Sequence, residues 1–386
     1  MPVTVPDRLL LGSGPSPVPQ QILDALARPT IGHLDPAFGA LMDEVADGLR
    51  TAFRTANRVA FPVSATGSGG MDLMVANLVQ PGDRVVCGIH GLFGQRMAEA
   101  LGRQGAHVVR VDAEWGRAID PQELVTAIHA GDTAAAFVVH GETSTGVAQP
   151  LDGIADACRE HDALFLLDCV TSFTGHPLDL DASGVDAAFS GSQKCLNAPP
   201  GLAPFTLGDR AMQRVDGGSR SWYFDLSLVL GYWRDGGAAG GARAYHHTAP
   251  INSVYALHEA LELVHDEGLQ ARWDRHATAH AALRDALAVL GLPRLAPEGE
   301  QLHPLLAVTP PPDVDEAAVR GALLQDHGIE ISGGLGPLAG RLWRVGVMGV
   351  GANPEPQERL VTALATLLGR EAAPALDALA AGWAAA

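Results

Sequence analysis

Short apolar runs alternate with helical patterns through the first half of the chain. Six runs predict buried strands: RVAFPVS, RVVCGI, HVVRVD, AAAFVVHG, ALFLLDCV and DAAFSG. The segments between them place apolar residues three and four apart, which is the spacing of an amphipathic helix. Continuous apolar strands that alternate with helices are typical of an α/β fold with a mostly parallel sheet covered by helices. In such a sheet, ligands bind beyond the carboxyl ends of the strands.

The pattern changes after Gly208. A glycine-rich loop, GGAAGGARAYHH, is followed by long helical stretches and then by three more strand-like runs separated by helices. This order predicts a smaller α/β domain at the carboxyl end of the chain. We therefore expect an N-terminal arm, a large domain and a small domain, with the boundaries 1–15, 16–265 and 266–386.

Composition narrows the class of protein. The chain has 386 residues, of which 47% are hydrophobic, and its formal net charge is −18 at pH 7. Nucleic-acid phosphates require a basic face, so we expect no nucleic-acid partner. No apolar run reaches the ~18 residues of a membrane span, and the start of the chain does not resemble a secretory signal. The four cysteines show no CxxC spacing, and these features together predict a reduced, cytoplasmic protein.

Lys194 is the only lysine among 26 basic residues. Arginine can replace lysine as a surface charge, but it stays protonated in proteins and cannot act as a nucleophilic amine. Schiff-base formation and proton transfer by a neutral amine are the tasks that require lysine. The alternative is a leftover surface lysine. The retention of this single lysine favours a catalytic role.

A lysine Schiff base needs a carbonyl partner, which either the substrate or pyridoxal 5'-phosphate (PLP) supplies. PLP also requires a phosphate cradle, a carboxylate for its pyridine nitrogen and a group that stacks on its ring. The turn ATGSGGMD follows a predicted strand and opens a helix, where free amides suit a phosphate. Such a turn is about as often purely structural.

Two side chains at strand ends are candidates for the other requirements. Asp168 ends the apolar run LFLLD, where an unpaired carboxylate is costly. Opposite a pyridinium N–H it would form a charge-assisted hydrogen bond, whereas the alternative is an N-cap of the next helix. Phe93 follows the run RVVCGI and could stack on a ring, with a position in the core as the alternative.

The histidines give no convincing metal site. His276 and His280 are four residues apart on a predicted helix, a spacing that would suit a metal ion. No third ligand is evident, so we expect both of them to face solvent. His246 and His247 have no acidic or thiol neighbours at ligand spacing. The prediction is that the protein binds no metal.

Six motifs, in order along nearly the whole chain, resemble the alanine–glyoxylate and serine–pyruvate aminotransferases. These are LGSGPSPVP, HGETSTGVAQPLDG, LLDCVTSFTG, SGSQKCLNAPPG, AYHHTAP and GGLGPLAGRLWRVGVMG. The resemblance implies a class V PLP-dependent transferase of fold type I. It further implies transfer of an amino group from alanine or serine to glyoxylate or pyruvate, in a homodimer with shared active sites.

The resemblance also implies roles for individual residues. Lys194 would bind PLP and move the substrate proton, and Asp168 would pair with the pyridine nitrogen. Arg344 would bind the substrate carboxylate with both arms of its guanidinium. Tyr245 and Thr248 would reach the phosphate of the neighbouring subunit. The other cofactor contacts would come from Thr66, Gly67, Ser68, Phe93, Thr143, Val170 and Gln193.

The sequence departs from the family pattern in two places. Phe93 stands where the family often has tryptophan over the ring, and the turn TGSGG differs from the usual phosphate turn. Related enzymes on the same scaffold use pyridoxamine, aminoethylphosphonate or other donors. A PLP-dependent aminotransferase or lyase with another amine donor therefore stays open, as does a PLP-binding protein without turnover.

Overall fold

A computed structural model of the chain describes residues 3–215, 218–233 and 243–385. Residues 236–242 of the predicted glycine-rich loop lie outside these ranges. The strands of the described part are β1 Leu9–Leu10, β2 Val59–Val63, β3 Arg84–Ile89, β4 His107–Asp112, β5 Thr133–Val139, β6 Gly141–Glu142, β7 Val147–Ala148, β8 Leu164–Asp168, β9 Ala187–Phe189, β10 Ala203–Leu207, β11 Leu305–Val308, β12 Ile329–Glu330, β13 Ser332–Gly333 and β14 Trp343–Gly346. The helices are α1 Gln20–Leu26, α2 Pro36–Phe53, α3 Gly67–Leu78, α4 Leu92–Gln104, α5 Pro121–His129, α6 Ile154–Glu160, α7 Asp209–Met212, α8 Leu226–Trp233, α9 Ile251–Glu267, α10 Leu269–Val289, α11 Glu316–Asp326, α12 Pro354–Leu367 and α13 Ala373–Ala384.

A seven-stranded sheet forms the centre of the larger part of the molecule, in the order β2-β10-β9-β8-β5-β3-β4. Strands β9, β8, β5, β3 and β4 are parallel to their neighbours in that order, whereas β10 is antiparallel to both β2 and β9. Strands β2 and β8 are buried along their whole length, which explains their continuous apolar sequences. The prediction of a mostly parallel sheet is confirmed.

The topology brings the loops after several strands to one edge of this sheet. Because β3, β5 and β8 are parallel, their carboxyl ends open on the same edge. Helix α3 begins soon after β2, and helix α4 begins soon after β3. Residues that follow these strands therefore lie close together, although they are far apart in the sequence.

A smaller antiparallel sheet, β11-β14-β13, lies in the C-terminal part of the chain. Its apolar residues pack with those of α10, α12 and α13 in a hydrophobic cluster separate from that of the large sheet. Leu11, near the amino end, belongs to this second cluster, and β1 pairs in parallel with β12. The boundaries 1–15, 16–265 and 266–386 stay a proposal for how these two cores divide the chain.

The prediction that His276 and His280 face solvent is wrong, because both side chains are buried. Nε2 of His276 accepts a hydrogen bond from the amide of Gly349 at 2.8 Å. Nδ1 of His280 donates to the carbonyl oxygen of His303 at 3.2 Å. Helix α10 packs against α12 and α13, so its inner face is buried even where its residues are polar.

Three further observations concern the described residues as a whole. None of their His, Cys, Asp and Glu side chains form a group of three or more that could hold a metal ion. No described helix combines the length and the hydropathy that crossing a membrane requires. The four cysteines are buried and free.

Candidate active site

The loops at the carboxyl edge of the large sheet enclose a cavity of about 150 Å³. Nine of the residues predicted from the sequence line it, namely Thr66, Gly67, Ser68, Phe93, Thr143, Asp168, Val170, Gln193 and Lys194. Met71, Arg96, Val139, Gly141, Thr171 and Phe189 also line it. The structure therefore brings most of the predicted cofactor contacts into one place.

Asp168 is the last residue of β8 and is buried against the cavity. Its Oδ1 accepts a hydrogen bond from the amide of Val170 at 2.8 Å, while Oδ2 receives no hydrogen bond from the described residues. Burial raises the pKa of this carboxyl to about 7, and the Val170 amide acts in the opposite direction. A cationic N–H donor in the cavity would stabilise the ionised carboxylate, which would in turn keep that donor protonated.

Lys194 enters the same cavity from the loop that follows β9. Burial lowers the pKa of its amine to about 8, and the positive charge of Arg344 contributes to this decrease. Its Nζ donates a hydrogen bond to the carbonyl oxygen of Ser13. The neutral amine is the nucleophilic form, and with this pKa about one in ten of these side chains is neutral at pH 7, against about one in 10³ for an exposed lysine.

The segment LGSGPS near the amino end lies directly against this amine. The backbone of Gly14 has a φ of 102°, and a Cβ at this position would lie 2.7 Å from Nζ of Lys194. The amide of Ser16 donates to the carbonyl oxygen of Gln193 at 2.9 Å, and its hydroxyl donates to that of Lys194 at 2.6 Å. Glycine is required here because both the positive φ and the close approach exclude a side chain.

The first turn of α3 offers free donors to the cavity. Thr66 precedes the helix, and its side chain forms no capping hydrogen bond. Its carbonyl oxygen accepts from the amides of Gly69 and Gly70 at 2.7 and 3.2 Å, which starts the helix. The amides of Gly67 and Ser68 come before the first intrahelical hydrogen bond. Free amides and hydroxyls at a helix N-terminus are suited to hold a phosphate.

Phe93 lies in the first turn of α4, partly buried, with its ring lining the cavity. The guanidinium of Arg96, one turn along the same helix, lies over this ring at 5.0 Å from its centroid. A cation on one face of the ring favours this orientation of Phe93. The side chain of Val170 also lines the cavity, so both are placed to contact a bound ring.

Arg344 lies on β14 of the smaller sheet and is buried. Its Nε donates to the carbonyl oxygen of Gly333 at 2.8 Å, and Nη1 donates to that of Thr143 at 3.1 Å. None of the ion pairs between described residues involves Arg344. Burial lowers its pKa to about 10, and it remains a cation at neutral pH. Such a guanidinium is suited to bind an incoming carboxylate.

Tyr245 and Thr248 do not join the cavity, and both are exposed, Tyr245 to 63%. The ring of Tyr245 lies 5.2 Å from that of His33. His247 lies between them in the sequence. Its Nε2 is 2.7 Å from Oγ of Ser64, which is a hydrogen-bond distance. A single chain therefore leaves these two predicted phosphate contacts outside its own cavity.

Sequence reasoning missed Glu142, a fully buried carboxylate next to the cavity-lining Gly141 and Thr143. It also missed Arg96, which packs on Phe93. The motif HGETSTG entered the sequence analysis only through the family resemblance, which assigns a contact to Thr143 and none to Glu142. An acidic residue directly after an apolar strand could have been found, because a carboxylate buried there needs several donors.

The chemistry of the residues at the cavity fits PLP. Lys194 supplies an amine with a lowered pKa, and Asp168 supplies a buried carboxylate with one oxygen that no described donor reaches. The buried Oε1 of Gln193 has no hydrogen-bond partner within the described part of the chain. Unsatisfied buried polar atoms of this kind are expected where a ligand binds. Lys194 and Asp168 would hold the two ends of the pyridine ring system, and the first turn of α3 would hold the phosphate.

The chain belongs to the aminotransferase class-V family, which matches residues 8–339. It is a PLP-dependent transaminase with the fold of that family. It is 36% identical to the (S)-ureidoglycine–glyoxylate transaminase of Bacillus subtilis, over 97% of this chain and 94% of that protein. The crystal structure of alanine–glyoxylate aminotransferase from Nostoc sp. is 44% identical, covering 95% of this chain and 97% of that one, with a TM-score of 0.92. The pyridoxamine–pyruvate aminotransferase of Mesorhizobium loti is 27% identical, with 100% and 99% coverage and a TM-score of 0.91.

Three predictions from the sequence are thereby confirmed: the family, the α/β fold of type I and the requirement for PLP. The roles of the individual site residues stay predictions. So does the identity of the amino donor, since the three similar proteins carry three different donors in their names.

Proposed function

We propose that this transaminase moves an amino group from a small amino acid, alanine or serine, to a small 2-oxo acid, glyoxylate or pyruvate. The observation that carries the proposal is the position of Arg344. Its buried guanidinium forms no ion pair with the described residues, and it donates to the carbonyl oxygen of Thr143, which lines the same cavity as Lys194. Both an amino acid and a 2-oxo acid present one carboxylate to such a group.

Within this proposal each residue has a defined task. PLP, when bound, supplies an aldehyde carbon and an electron-withdrawing ring. Lys194 binds the cofactor and then moves a proton from Cα of the substrate, which requires its neutral amine. Asp168 keeps a proton on the ring nitrogen, and Arg344 fixes the substrate carboxylate. The ring and phosphate contacts are Thr66, Gly67, Ser68, Phe93, Thr143, Val170 and Gln193.

An amino-donor screen tests the proposed substrates. The protein loaded with PLP is mixed with L-alanine, L-serine, pyridoxamine, aminoethylphosphonate or (S)-ureidoglycine, and the visible absorbance of the cofactor is followed. We expect a rapid change with L-alanine or L-serine and formation of the matching 2-oxo acid. D-alanine, which has the same charge and size, is the control. Reaction only with amines that lack a carboxylate would contradict the role of Arg344.

We further propose that the protein is a homodimer with shared sites. Tyr245 and Thr248 are exposed and lie outside their own cavity, which supports a contact with the cofactor of a second copy. Closed two-fold dimers are the commonest protein assemblies. The four free cysteines support the cytoplasm as the proposed location.

Mixed dimers test the shared site. Lys194→Ala is expected to be inactive, and Tyr245→Ala is expected to lose its PLP on dialysis, so neither is active when assayed without added cofactor. A dimer with one copy of each contains one complete site. If half of the dimers are mixed, activity recovers to about a quarter of the wild-type value. No recovery, in a sample where native mass spectrometry detects mixed dimers, would exclude the shared site. Full activity of a strictly monomeric protein would exclude it as well.

A further inference from the structure

Glu142 is a buried carboxylate for which the roles above provide no task. It lies on the short strand β6 with none of its surface exposed. Its Oε2 accepts hydrogen bonds from the amides of Phe93 and Gly94, at 3.0 and 3.4 Å. Its Oε1 accepts from the amide and the hydroxyl of Ser144, at 3.0 and 2.6 Å. One carboxylate thus joins the first turn of α4 to the loop that follows β6.

The residues around Glu142 leave no free space and supply further hydrogen bonds to the start of α4. A Cβ at Gly91 would lie 2.3 Å from Cγ of Glu142 and 2.4 Å from Oγ of Ser144, so the position before α4 has no room for a side chain. Oγ of Ser144 also accepts from the amide of Leu92 at 2.9 Å. The first amides of α4, which lack partners within the helix, are therefore satisfied by side chains of another loop. A negative charge is favourable at this end of a helix.

The same loop also receives Arg344. Nη1 of Arg344 donates to the carbonyl oxygen of Thr143, the residue between Glu142 and Ser144. Burial lowers the pKa of Arg344, and the negative charge of Glu142 raises it again. Glu142 itself forms no ion pair with Arg344 within the described residues. The guanidinium therefore has a counter-charge that forms no hydrogen bond with it, and its Nη2 donates to none of the described residues.

We propose that Glu142 is a positioning residue for the transamination reaction. Its carboxylate fixes the backbone of Phe93, which lines the ring site, and the carbonyl of Thr143, against which Arg344 is aligned. Loss of the carboxylate would misplace both the ring contact and the substrate clamp. This inference rests on the proposed role of Arg344, while the role of Phe93 gives it a second, separate consequence.

The test is Glu142→Gln, which keeps the shape of the side chain but places an NH₂ donor against the donors of Phe93 or Ser144. We expect the PLP-loaded variant to keep its covalently bound cofactor. The KM values for the amino acid and for the oxo acid should both rise, by about tenfold, as expected for losing a charge-assisted hydrogen bond. The visible circular dichroism of the cofactor should also change, because it reports the orientation of the ring.

Asp186→Asn is the matched control. Asp186 is also a buried carboxylate, which accepts from the amide of Phe165 at 2.8 Å and pairs with Arg210 at 2.9 Å, and it does not line the cavity. Both variants should unfold at lower temperatures than the wild type. Only Glu142→Gln should change KM and the circular dichroism of the cofactor. If both variants lose stability and neither changes KM or the cofactor spectrum, Glu142 is merely structural and the inference is overturned.

A second variant covers the case in which Glu142→Gln does not fold. Ser144→Ala removes one donor to Glu142 and the acceptor of the Leu92 amide. It should raise both KM values about threefold, since a neutral hydrogen bond contributes less than a charged one. An unchanged KM would overturn the inference. All assays use L-alanine and glyoxylate, or the donor that the wild type prefers in the screen. The test of Glu142 therefore remains valid even if the proposed substrates are incorrect. If only amines without a carboxylate react, the change in cofactor circular dichroism is the deciding result.

Discussion

Lys194 and Tyr245 are both assigned to the cofactor, yet they lie in opposite environments. Lys194 is 8% exposed and lines the cavity, whereas Tyr245 is 63% exposed and lies outside it. The inner group of residues, Lys194 and Asp168, is fixed by the sheet and by the N-terminal segment of the same chain. The outer group, Tyr245 and Thr248, has no such enclosure. Under the proposed mechanism, one chain would therefore contain the groups for proton transfer, while part of the proposed phosphate binding would depend on a second copy.

The difference in burial between the two groups matches the two tasks proposed for them, proton transfer and phosphate binding. Proton transfer needs shifted pKa values, and burial produces them: it lowers the pKa of Lys194 to about 8 and raises that of Asp168 to about 7. A phosphate needs hydrogen-bond donors, which function without burial of each donor in its own chain. Variants of the inner group should therefore lose chemistry, and variants of the outer group should lose cofactor retention.

Replacement of the inner amine should have the largest effect. Lys194→Arg keeps a positive charge but cannot form a bond to the cofactor or accept a proton from Cα. We expect a folded protein with no covalent cofactor absorbance and no measurable turnover. Visible absorbance after dialysis and an activity assay provide the measurement, with far-ultraviolet circular dichroism as the control for folding. Turnover close to that of the wild type would contradict the role of Lys194.

Replacement of the inner carboxylate should have the next largest effect. Asp168→Asn preserves shape but cannot hold a proton on the ring nitrogen, so we expect kcat to fall on the order of 10²-fold, as when one electrostatic stabiliser is removed. Cofactor content, measured by absorbance, should stay close to that of the wild type. A kcat within a factor of about three of the wild type would show that Asp168 has been assigned the wrong partner.

The lowered pKa of Lys194 predicts the pH dependence of cofactor loading. Because the neutral amine reacts, the loading rate of the PLP-free protein should rise about tenfold per pH unit up to about pH 8 and then level off. A free lysine derivative is the control, and its rate should rise until about pH 10.4. Stopped-flow absorbance measures both rates. A protein rate that still rises steeply between about pH 9 and 10 would contradict the shift.

The outer group should give the smallest change in chemistry. Thr248→Ala should weaken PLP retention by about tenfold, as for one lost hydrogen bond to a charged group, with kcat of the fully loaded enzyme preserved. Dialysis against buffer without cofactor measures the retention. Thr366→Ala, an exposed threonine on α12, is the matched control and should change neither quantity. A loss of kcat at saturating PLP would erase the proposed distinction between the two groups.

Much of the fold followed from local patterns, because buried parallel strands leave continuous apolar runs in the sequence. Strand β10 was not predicted. Its five residues APFTL follow directly on the segment APPGL, whose proline and glycine residues indicate a turn. His276 and His280 were placed wrongly for a different reason. Together with Arg272 they lie at intervals of four on one polar face of α10. That face is turned inward, where each of the three side chains forms a hydrogen bond with a backbone group outside the helix.

The candidate site could be predicted where its reactive side chains directly follow apolar strands in the sequence. Lys194 and Asp168 stood out because one is a unique residue and the other is a carboxylate at the end of an apolar strand. Glu142 did not stand out, because the amides of Phe93 and Gly94 that satisfy it lie almost fifty residues away in the sequence. Only the folded structure shows that these amides donate hydrogen bonds to the buried carboxylate of Glu142. Tyr245 was assigned by resemblance alone.

The single lysine also makes the chain a reporter of its own local opening. A protease that cleaves only after lysine has one target bond in 386 residues, and that bond lies in the loop between the cavity and the N-terminal segment. Cleavage would divide the chain into the two fragments 1–194 and 195–386, with no background from other sites. Because a buried bond is cut only when its segment opens, the rate of this one event measures how often the catalytic loop leaves its place. Cofactor attached to the same side chain would further slow the cut, so a gel could follow both loop opening and occupancy.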